Sequence, residues 1–586
     1  MQQKYREQVK CIYIDPPYNT ASTPILYKNE YKHSSWASLI SDRLRLSKKL
    51  LSINGIKTVA IDDTEMINLV KILEESYWDY RLSRITVVHN PKGSITKDFN
   101  RVHEYALFLT PPGDVKLIAR SLEANDTPRK MRRWGENSLR TERRLSFYPI
   151  YLKNDKIVRV GAVPGDDFHP KSKNIINTNG EIEVWPIDQN NIERRWNFGL
   201  DSINDNLDRI VVIKKDGIFD LFVSHEMTVP KTVWRGGEYD AGNYGNTLLI
   251  DILGEKRFDF PKSINLVQKC IFLATNEDLN AIVVDYFGGS GTTAHAVIKQ
   301  NLKDKGKRKY VLVEMGAHFN SVVIPRTKKV IYSSDWKDGK PVSREGISHC
   351  FKTLRLESYE DTLNNLVLKA DNSRDMALAN NAGLQRDYLL NYFLDVETQS
   401  SQSLLNIADF RDPTAYKMNI KKPGSEEQSL QAIDLIETFN WLIGLWVQNM
   451  AAPHSFSAEF EREQDPDLPK DQNTRLTCKR LKVDNTGDYW FRLIEGYTLK
   501  IPGDNTSKVA TLIIWRKQTD DAEKDNTVLQ KFLLEKLQIS PRAQTYGVIY
   551  INGSHTLPNP VVEGEQTKVR LIEEAFHNAM WSGDAS

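Results

Sequence analysis

Residues 11–18 read CIYIDPPY, and this stretch indicates the fold of the first part of the chain. Four apolar, β-rich residues without alternation predict a strand that is buried on both faces, as in a parallel sheet. Two adjacent prolines follow Asp15 and end the strand, because proline donates no hydrogen bond to a ladder. Residues 34–55 then have apolar side chains near helical spacing and reach Asn54-Gly55, which we interpret as a helix stop.

The alternation of strands and helices continues along the chain. Residues 56–62 predict a second buried strand and residues 65–76 a second helix, and the runs RITVVHN and YALFLTP predict two further strands. The same rhythm returns near residue 258 with a helix pattern, then a strand, a tight turn and a helix over residues 281–301. Such alternation predicts an α/β fold, with a doubly wound, mostly parallel sheet and helices on both faces.

Between and after these segments the rhythm breaks, which predicts several domains. The prediction places the two halves of the sheet domain at residues 1–110 and 236–335, with an inserted domain between them at residues 111–235. A connector at residues 336–365 and an α+β C-terminal domain at residues 366–586 follow. Within the last domain, the apolar run Leu435 to Val447 predicts one amphipathic helix that is buried in a core or against a partner.

Composition restricts the class of protein. The 586 residues carry 79 Lys and Arg against 77 Asp and Glu, so the net charge of +2 identifies no partner by itself. Four cysteines without a C-x-x-C pair argue against a disulfide framework or a cysteine zinc site and suit a reducing compartment. No apolar run is long enough to cross a membrane and the N-terminus has no signal-peptide pattern, so we expect a cytoplasmic protein.

The segment Asp285 to Ala294, DYFGGSGTTA, predicts a nucleoside-binding corner. A strand, a glycine-rich turn and a helix N-terminus occur in that order, and Gly289 and Gly291 let the backbone approach a ligand closely. Glu314 ends the next strand, where a carboxylate can accept hydrogen bonds from both ribose hydroxyls. The same letters also fit the G-x-G-x-x-A pattern of nicotinamide-dependent enzymes, which stays open on this motif alone.

The DPPY motif carries the predicted chemistry. An exocyclic base amine is a poor nucleophile, because its lone pair is delocalised into the ring. Asp15 can accept one amine N–H and the Pro16 carbonyl the other, which moves the nitrogen toward tetrahedral geometry, and Pro17 stiffens the turn. Tyr18 offers a flat face on which a flipped base can stack, an interaction worth roughly 1–3 kcal/mol.

IYIDPPYNT, the FGGSG turn and the strand-final Glu314 together resemble the DNA amino-methyltransferases that use S-adenosylmethionine. The catalytic motif precedes the cofactor motif with an insertion between them, an order that is similar to the β class. SSWASLISDRLRL, GIKTVAIDDTE, HEYALF and LESYEDTL each resemble segments of the methylation (Mod) subunit of type III restriction-modification systems. Family members carry a longer segment before the catalytic strand than the ten residues found here, so we expect the contacts of that segment to be absent.

The resemblance implies a cofactor site with members from the turn, the next strand and the helix before the turn: Asp285, Phe287, Gly289, Gly291, Glu314 and Lys262. Phe287 and the two glycines would line the methionine and ribose side, Asp285 the amino acid end, and Glu314 the ribose. Phe260-Pro261-Lys262 matches the segment that closes over the cofactor, although Lys262 is also explained as a charge at a helix start.

Two further polar groups have open interpretations. Asp62, Asp63 and Glu65 either line the substrate pocket or form a solvated corner between a strand and a helix. The triplet His103-Glu104-Tyr105 is interpreted as structural support.

The insertion contains a focused basic segment with Trp134 among the charges. Seven basic residues stand against two acidic ones between positions 129 and 144: Arg129, Lys130, Arg132, Arg133, Arg140, Arg143 and Arg144. Their place between the catalytic and cofactor motifs predicts target recognition on double-stranded DNA, with contacts to phosphates and guanine edges. The alternative is an ordinary solvated basic segment.

The sequence thus predicts direct transfer of a methyl group from S-adenosylmethionine to the N6 amine of adenine in DNA, after base flipping and without a metal. Methylation of the N4 amine of cytosine fits the same geometry. A catalytically weak DNA-binding subunit is the alternative from another class of protein. The type III resemblance also implies a homodimer and a helicase-nuclease restriction subunit as partners, with residues 366–586 as the docking domain.

Overall fold

We describe the chain from a computed structural model. The structure describes residues 1–20, 32–93, 98–113, 118, 128–224, 229–368, 371–391, 398, 401–404, 406–422, 427–465, 469, 473–538, 540–541, 545–560 and 567–581. Among these residues, no helix combines the length and the apolar character that crossing a bilayer would require.

The first and third predicted segments build one seven-stranded sheet together with the last residues of the predicted insertion, which supply one edge strand. In chain order its strands are β1 (Val9–Ile14), β2 (Leu51–Ile61), β3 (Arg81–Val88), β4 (His103–Thr110), β12 (Val233–Trp234), β13 (Ile282–Asp285) and β14 (Lys309–Leu312). Their order across the sheet is β12-β3-β4-β2-β1-β13-β14. Only β4 runs antiparallel to its two neighbours, so the prediction of a mostly parallel α/β sheet is confirmed.

Helices cover both faces of this sheet. They are α1 (Gln2–Tyr5), α2 (Lys32–Lys48), α3 (Met66–Ser76), and, after the insertion and its helix α4 (Leu200–Ile203), α5 (Leu248–Leu253), α6 (Ile264–Thr275), α7 (Thr292–Asp304) and α8 (Ile324–Tyr332). Alternate residues of β1 point to opposite sides. Cys11 and Tyr13 pack in the core with α6 and α7, and Ile12 and Ile14 pack in the core with α2 and α3.

The expected helix stop at Asn54-Gly55 is wrong. Helix α2 ends at Lys48, and Asn54 and Gly55 lie inside strand β2. Leu51 pairs with Val9 but Ile56 already pairs with Cys11, so the residues between them bulge out of the ladder. Leu51 and Ile56 are both buried, which explains why the strand begins before the bulge and not after it.

The insertion forms two small antiparallel sheets with a core of their own. One sheet contains β5 (Arg129–Lys130), β10 (Ile210–Lys215) and β11 (Ile218–Val223), and the other contains β6 (Ile150–Lys153), β7 (Lys156–Val160), β8 (Asn174–Ile176) and β9 (Ile182–Val184). Tyr148, Trp196 and Leu221 are fully buried in the core that joins them. The opening part of the predicted insertion, residues 119–127, lies outside the described residues.

The C-terminal part has a second seven-stranded sheet. After the hairpins β15 (Trp336–Lys337) with β16 (Lys340–Pro341) and β17 (Lys417–Lys421) with β18 (Gln428–Ala432), its strands are β19 (Trp446–Met450), β20 (His454–Gln464), β21 (Thr474–Val483), β22 (Tyr489–Leu499), β23 (Lys508–Arg516), β24 (Val548–Ile551) and β25 (Val569–Leu571). The helices are α9 (Tyr359–Asn364), α10 (Asn372–Ala379), α11 (Ala382–Asn391), α12 (Leu435–Leu442), α13 (Ala522–Lys531) and α14 (Ile572–Trp581). Helices α12 and α14 pack on one face of the sheet and α13 packs on the other.

The predicted single helix from Leu435 to Val447 is also wrong. Helix α12 ends at Leu442, and Trp446 begins strand β19. Gly444 between them has a φ of +68°, and a Cβ there would lie 2.8 Å from the carbonyl oxygen of Gln3. The helix therefore stops at a left-handed glycine that is pressed against the N-terminal segment.

That contact joins the C-terminal domain to the start of the chain. The Tyr5 ring lies 5.9 Å from the Trp441 ring and 5.6 Å from the Trp446 ring, between centroids. The Lys4 ammonium lies 5.0 Å from the Trp446 ring centroid, within range of a cation–π interaction. The first residues of the sheet domain thus pack directly on α12 and β19.

Candidate active site

The two motifs of the sequence meet at one edge of the large sheet. Strands β1 and β13 are parallel neighbours, with Cys11 opposite Val283 and Ile12 opposite Val284. Asp15 follows β1 directly and the glycine-rich turn follows β13 directly, so both leave the sheet at its carboxyl edge. This edge is where open α/β sheets bind their ligands.

Lys262 lies at the centre of the DPPY corner. Its Nζ is 3.3 Å from Oδ1 of Asp15 and 2.6 Å from Oε2 of Glu104, and it also donates to the hydroxyl of Tyr18. The Tyr18 hydroxyl in turn donates to Oε2 of Glu104 at 3.0 Å. The ammonium lies 4.4 Å from the centroid of the Tyr18 ring, so one cation contacts both the acid and the aromatic residue of the motif.

The pKa values in this corner are shifted in a consistent pattern. Burial raises the pKa of Asp15, and the nearby Lys262 opposes that rise without cancelling it. Burial would lower the pKa of Lys262, but Asp15 and Glu104 outweigh burial and raise it. Burial would raise the pKa of Glu104, but Lys262 outweighs burial and lowers it. Two carboxyl groups therefore share one firmly protonated ammonium.

The turn after Asp15 is held from outside by side chains. The indole N–H of Trp36 donates to the Pro17 carbonyl at 2.8 Å. Asn19, with a φ of +59°, donates through its side-chain amide to Oε1 of Glu65 at 2.7 Å. In the part of the chain that the structure describes, no hydrogen bond reaches the Pro16 carbonyl. That oxygen and the Asp15 carboxylate thus form a pair of acceptors on a fixed turn.

The acidic corner after β2 separates into two roles. Glu65 is fully buried and holds the turn through Asn19, so it is neither a pocket-lining group nor a solvated one. Asp62 and Asp63 instead pair with the guanidinium of Arg101, at 3.2 and 3.3 Å. Glu65 therefore supports the turn, and Asp62 and Asp63 form ion pairs with Arg101.

The glycine-rich turn is fastened by two carboxylates. Asp285 is 3% exposed and accepts from the Phe287 backbone N–H at 3.0 Å and from the Thr293 hydroxyl at 2.6 Å. Glu314 accepts from the backbone N–H of Gly289 and from that of Gly316, both at 2.7 Å. Both carboxylates thus hold backbone of the site, a role that the sequence does not predict for either.

The turn suits a nucleoside cofactor whose amino acid end carries an ammonium group. Gly289 has a φ of +50°, and the Cβ position there meets nothing closer than Phe258 at 3.7 Å, so a ligand can approach the backbone. Burial raises the pKa of Asp285 to about 7, and no ion pair to this carboxyl occurs within the described ranges. A ligand ammonium would supply the missing positive charge. The residues present therefore fit S-adenosylmethionine.

Comparison with known proteins identifies this arrangement. The sequence pattern of the family described as DNA methylase matches residues 9–324, which is more than half of the 586 residues. The chain belongs to the DNA methylase family. The matched range begins at β1 and ends at α8, so it contains the large sheet, both motifs and the insertion.

The chain is similar to several named proteins over part of their length. The chain is 25% identical over 403 residues to the type III restriction-modification enzyme EcoPI Mod subunit of Escherichia phage P1, covering 59% of each chain. It is 29% identical over 325 residues to the type II methyltransferase M.KpnI of Klebsiella pneumoniae, covering 52% of this chain and 74% of that one. It is 27% identical over 391 residues to the StyLTI Mod subunit of Salmonella typhimurium, covering 61% and 55%.

Two residues lie in contacts that differ from their predicted roles. Lys262 is predicted in the cofactor segment, yet its ammonium contacts Asp15, Tyr18 and Glu104 of the catalytic corner. Glu104 is predicted as structural support, yet it is 1% exposed and bonds to both Tyr18 and Lys262. The pairing of β4 explains this: it runs antiparallel to β2, so its first residues lie at the carboxyl edge of the sheet.

Not all of the seven predicted basic residues lie at the surface of the insertion. Arg140 is 7% exposed, pairs with Glu193 at 2.9 Å and donates to the carbonyls of Gly165 and Phe168, both at 2.7 Å. These bonds join loops within the insertion, so the expectation that Arg140 contacts DNA is wrong. Arg132 is also buried, at 5% exposed, and neither Nε nor Nη1 of its guanidinium has a hydrogen-bond partner among the described residues.

The remaining basic side chains of the segment are exposed: Arg129, Lys130, Arg133, Arg143 and Arg144. Arg144 is also paired with Asp166, at 2.6 Å. Trp134 is 61% exposed, with the guanidinium groups of Arg132 and Arg194 at 5.1 and 5.3 Å from its ring. The insertion thus offers an exposed aromatic ring beside a basic surface, a combination found where proteins bind nucleic acid.

Proposed function

We propose that this chain transfers a methyl group from S-adenosylmethionine to the exocyclic N6 amine of adenine at a specific site in DNA. One observation carries the proposal: the DPPY motif and the glycine-rich turn follow neighbouring parallel strands and meet at one edge of the sheet. A base amine and a cofactor methyl group can therefore be bound side by side. The family supports methylation of DNA; the choice of adenine rests on the resemblance to Mod subunits.

The cofactor would be held by the turn and by the acids next to it. Asp285 would pair with the ammonium of the amino acid end, Phe287, Gly289 and Gly291 would line the methionine and ribose side, and Glu314 would bind the ribose. S-adenosylmethionine, when bound, supplies an electrophilic methyl group on a sulfonium sulfur. Lys262, which contacts the catalytic corner, is left out of this set.

The chain's own residues prepare the amine for attack. The Asp15 carboxylate accepts one N–H of the amine and the Pro16 carbonyl accepts the other, so the nitrogen lone pair turns out of conjugation with the ring. The Asp15 carboxylate, which accepts an amine N–H, is also placed to take the proton that the amine must lose when it gains the methyl group. Tyr18 provides the face against which the flipped base stacks, in exchange for the stacking lost in the duplex.

The insertion would bind the duplex around the target base. Arg129, Lys130, Arg133 and Arg143 are exposed and can contact phosphates, which positions the protein. Arg140 would act indirectly, by holding the loops of the insertion, and Arg132 stays a predicted DNA-binding residue.

Assembly into a restriction-modification system is the wider part of the proposal. The chain spans about 59% of the length of the EcoPI Mod subunit and 55% of the StyLTI one, and it would serve as the modification subunit of a type III-like system in the cytoplasm. Residues 366–586 would form the surface for a second copy and for a helicase-nuclease restriction subunit.

The test is incubation of the full chain with DNA and methyl-labelled S-adenosylmethionine, followed by mass spectrometry of the nucleosides. N6-methyladenine is the expected product, and its absence from the Asp15→Ala variant is the control. Labelled N4-methylcytosine would reassign the base, and DNA binding without any labelled product would support the weak DNA-binding subunit. Calorimetric titration with S-adenosylmethionine and with a nicotinamide dinucleotide separates the two cofactor classes.

A further inference from the structure

Glu104 and Lys262 reach the DPPY corner from distant parts of the chain. Glu104 is the second residue of β4, and its side chain points away from the side occupied by His103 and Tyr105. Lys262 lies in the loop just before the N-cap of α6. The two meet at 2.6 Å, with side chains that are 2% and 12% exposed.

The pair contacts both functional groups of the motif. The Lys262 ammonium is 3.3 Å from Oδ1 of Asp15 and 4.4 Å from the Tyr18 ring centroid. Oε2 of Glu104 accepts the Tyr18 hydroxyl at 3.0 Å. Asp15 is thus held by the cation, and the hydroxyl end of the Tyr18 side chain is held by the acid.

Folding stability alone does not explain this arrangement. Oε1 of Glu104 is buried and accepts no hydrogen bond among the described residues. A buried ion pair with an unsatisfied oxygen is commonly less stabilising than a well-packed apolar pair of the same volume. The network is therefore best explained by what it does to the two residues that it contacts.

We propose that Lys262 and Glu104 are positioning residues, which hold the Asp15 carboxylate and the Tyr18 ring in the geometry that a flipped base requires. This inference rests on the proposed methyl transfer. It differs from the cofactor role that the sequence resemblance implies for Lys262, because the contacts of the ammonium are to the catalytic motif and its support.

The inference predicts opposite changes in pH dependence for the two residues. Asp15 must be ionised to act as the strong acceptor of an amine N–H. Its protonation therefore sets the pH below which the transfer rate falls, which we call the acid limb of the pH–rate profile. Loss of the Lys262 cation removes the group that lowers the pKa of Asp15, whereas loss of the Glu104 charge removes a group that raises it. The charged and titratable groups around the pair are Tyr13, Tyr18, His89 and Asp285. All four are present in every variant.

The experiment compares single-turnover transfer rates from pH 5 to 9, at saturating cofactor, for the full chain and three variants. In Lys262→Met the acid limb is expected to move up by about one pH unit or more, and in Glu104→Gln to move down. Both rates should fall on the order of 100-fold at the plateau, because the acceptor and the stacking face lose their position. The cofactor dissociation constant should stay within about threefold of wild type.

The double variant guards against misfolding, because it removes both charges of the Lys262–Glu104 pair together and leaves neither member of that pair without its partner. Its acid limb should lie near that of the wild type while its plateau rate stays low. Lys269→Met and Glu437→Gln are matched controls: Lys269 donates to a tyrosine hydroxyl at 2.8 Å and Glu437 pairs with Lys352 at 2.6 Å, both in contacts that do not involve the DPPY corner. Neither control should change the limb or the rate.

Each failure has its own signature. Acid limbs that do not move in opposite directions, or a double variant with a wild-type rate, would overturn the positioning role alone. A cofactor affinity more than about tenfold weaker in Lys262→Met, with an unchanged rate at saturation, would return Lys262 to the cofactor site. Transfer to cytosine in the wild type would overturn only the adenine assignment, and a wild type that methylates neither base would overturn both proposals.

Discussion

Replacing Asp285 by asparagine should change the stability of the sheet domain in a pH-dependent way. Asparagine can keep both hydrogen bonds of this side chain, to the Phe287 N–H and the Thr293 hydroxyl, while removing the charge. Burial raises the pKa of Asp285 from 3.8 to about 7. Between these values the unfolded chain has lost the proton and the folded chain keeps it, so stability falls as pH rises.

The size of the effect follows from the interval between the two pKa values. At roughly 1.4 kcal/mol per pH unit, ionised Asp285 makes the folded state about 4 kcal/mol less stable above pH 7 than below pH 4. The side chain is 3% exposed, so solvent does little to screen this cost. In the absence of cofactor, the unfolding free energy of Asp285→Asn relative to wild type should therefore increase by about 4 kcal/mol from pH 4 to pH 8.

Hydrogen exchange of peptides that cover β13 and α7 measures this local unfolding free energy without requiring the other domains to unfold. The control is Asp304→Asn, in the same helix α7: hydrogen bonds from Arg308 and Gln300 outweigh burial and lower the pKa of Asp304. Asp304 is ionised in both the folded and the unfolded chain above about pH 4, so the stability of its asparagine variant relative to wild type should stay nearly constant from pH 4 to pH 8. A stability difference for Asp285→Asn that stays constant from pH 4 to pH 8 would refute the reasoning.

Four other predictions test the site, the insertion and the C-terminal domain. Asp15→Ala should abolish methylation and leave the cofactor affinity within a few fold, because Asp15 acts on the amine; more than about a tenth of the wild-type rate contradicts this. Gly291→Val should abolish titration with S-adenosylmethionine, since Gly291 has a φ of +76° and its Cβ position lies 3.3 Å from the Val323 side chain; normal titration would mean that the turn is not the cofactor site. Deletion after residue 365 should remove oligomerisation and partner binding, as measured by light scattering. Alanine should be placed at the exposed basic positions Arg129, Lys130 and Arg133. The slope of log DNA affinity against log salt concentration should then fall by about one per lost phosphate contact, and an unchanged slope would indicate an ordinary solvated surface.

The sequence was sufficient for the strands and turns that carry the two motifs. Apolar runs that end in DPPY and in the FGGSG turn predict strands followed by ligand-binding turns, and the structure has β1 and β13 there. Parallel strands end at a common edge, so direction alone places both motifs at that edge, and the pairing of β1 with β13 then makes them neighbours.

Contacts between distant segments were not predictable in the same way. Glu104 faces the catalytic corner because β4 is antiparallel to β2, and nothing within the residues of β4 specifies that direction. Arg140 is buried by Glu193 and two loop carbonyls more than twenty residues away, whereas the local sequence shows only a run of arginines. Gly444 ends α12 against Gln3, at the opposite end of the chain.

The adjacency of β1 and β13 also has a consequence for synthesis on the ribosome. Ile14 ends β1 and Ile282 begins β13, so the whole insertion is translated before β1 can gain its second neighbour. At 5–20 residues per second this interval lasts roughly 10 to 60 s, during which the apolar edge of VKCIYI has no partner on that side. The insertion has its own core and can fold within that time. The binding corner between the two strands is therefore completed late, and a nascent chain is most exposed to misassembly or chaperone binding at β1 until residue 285 emerges.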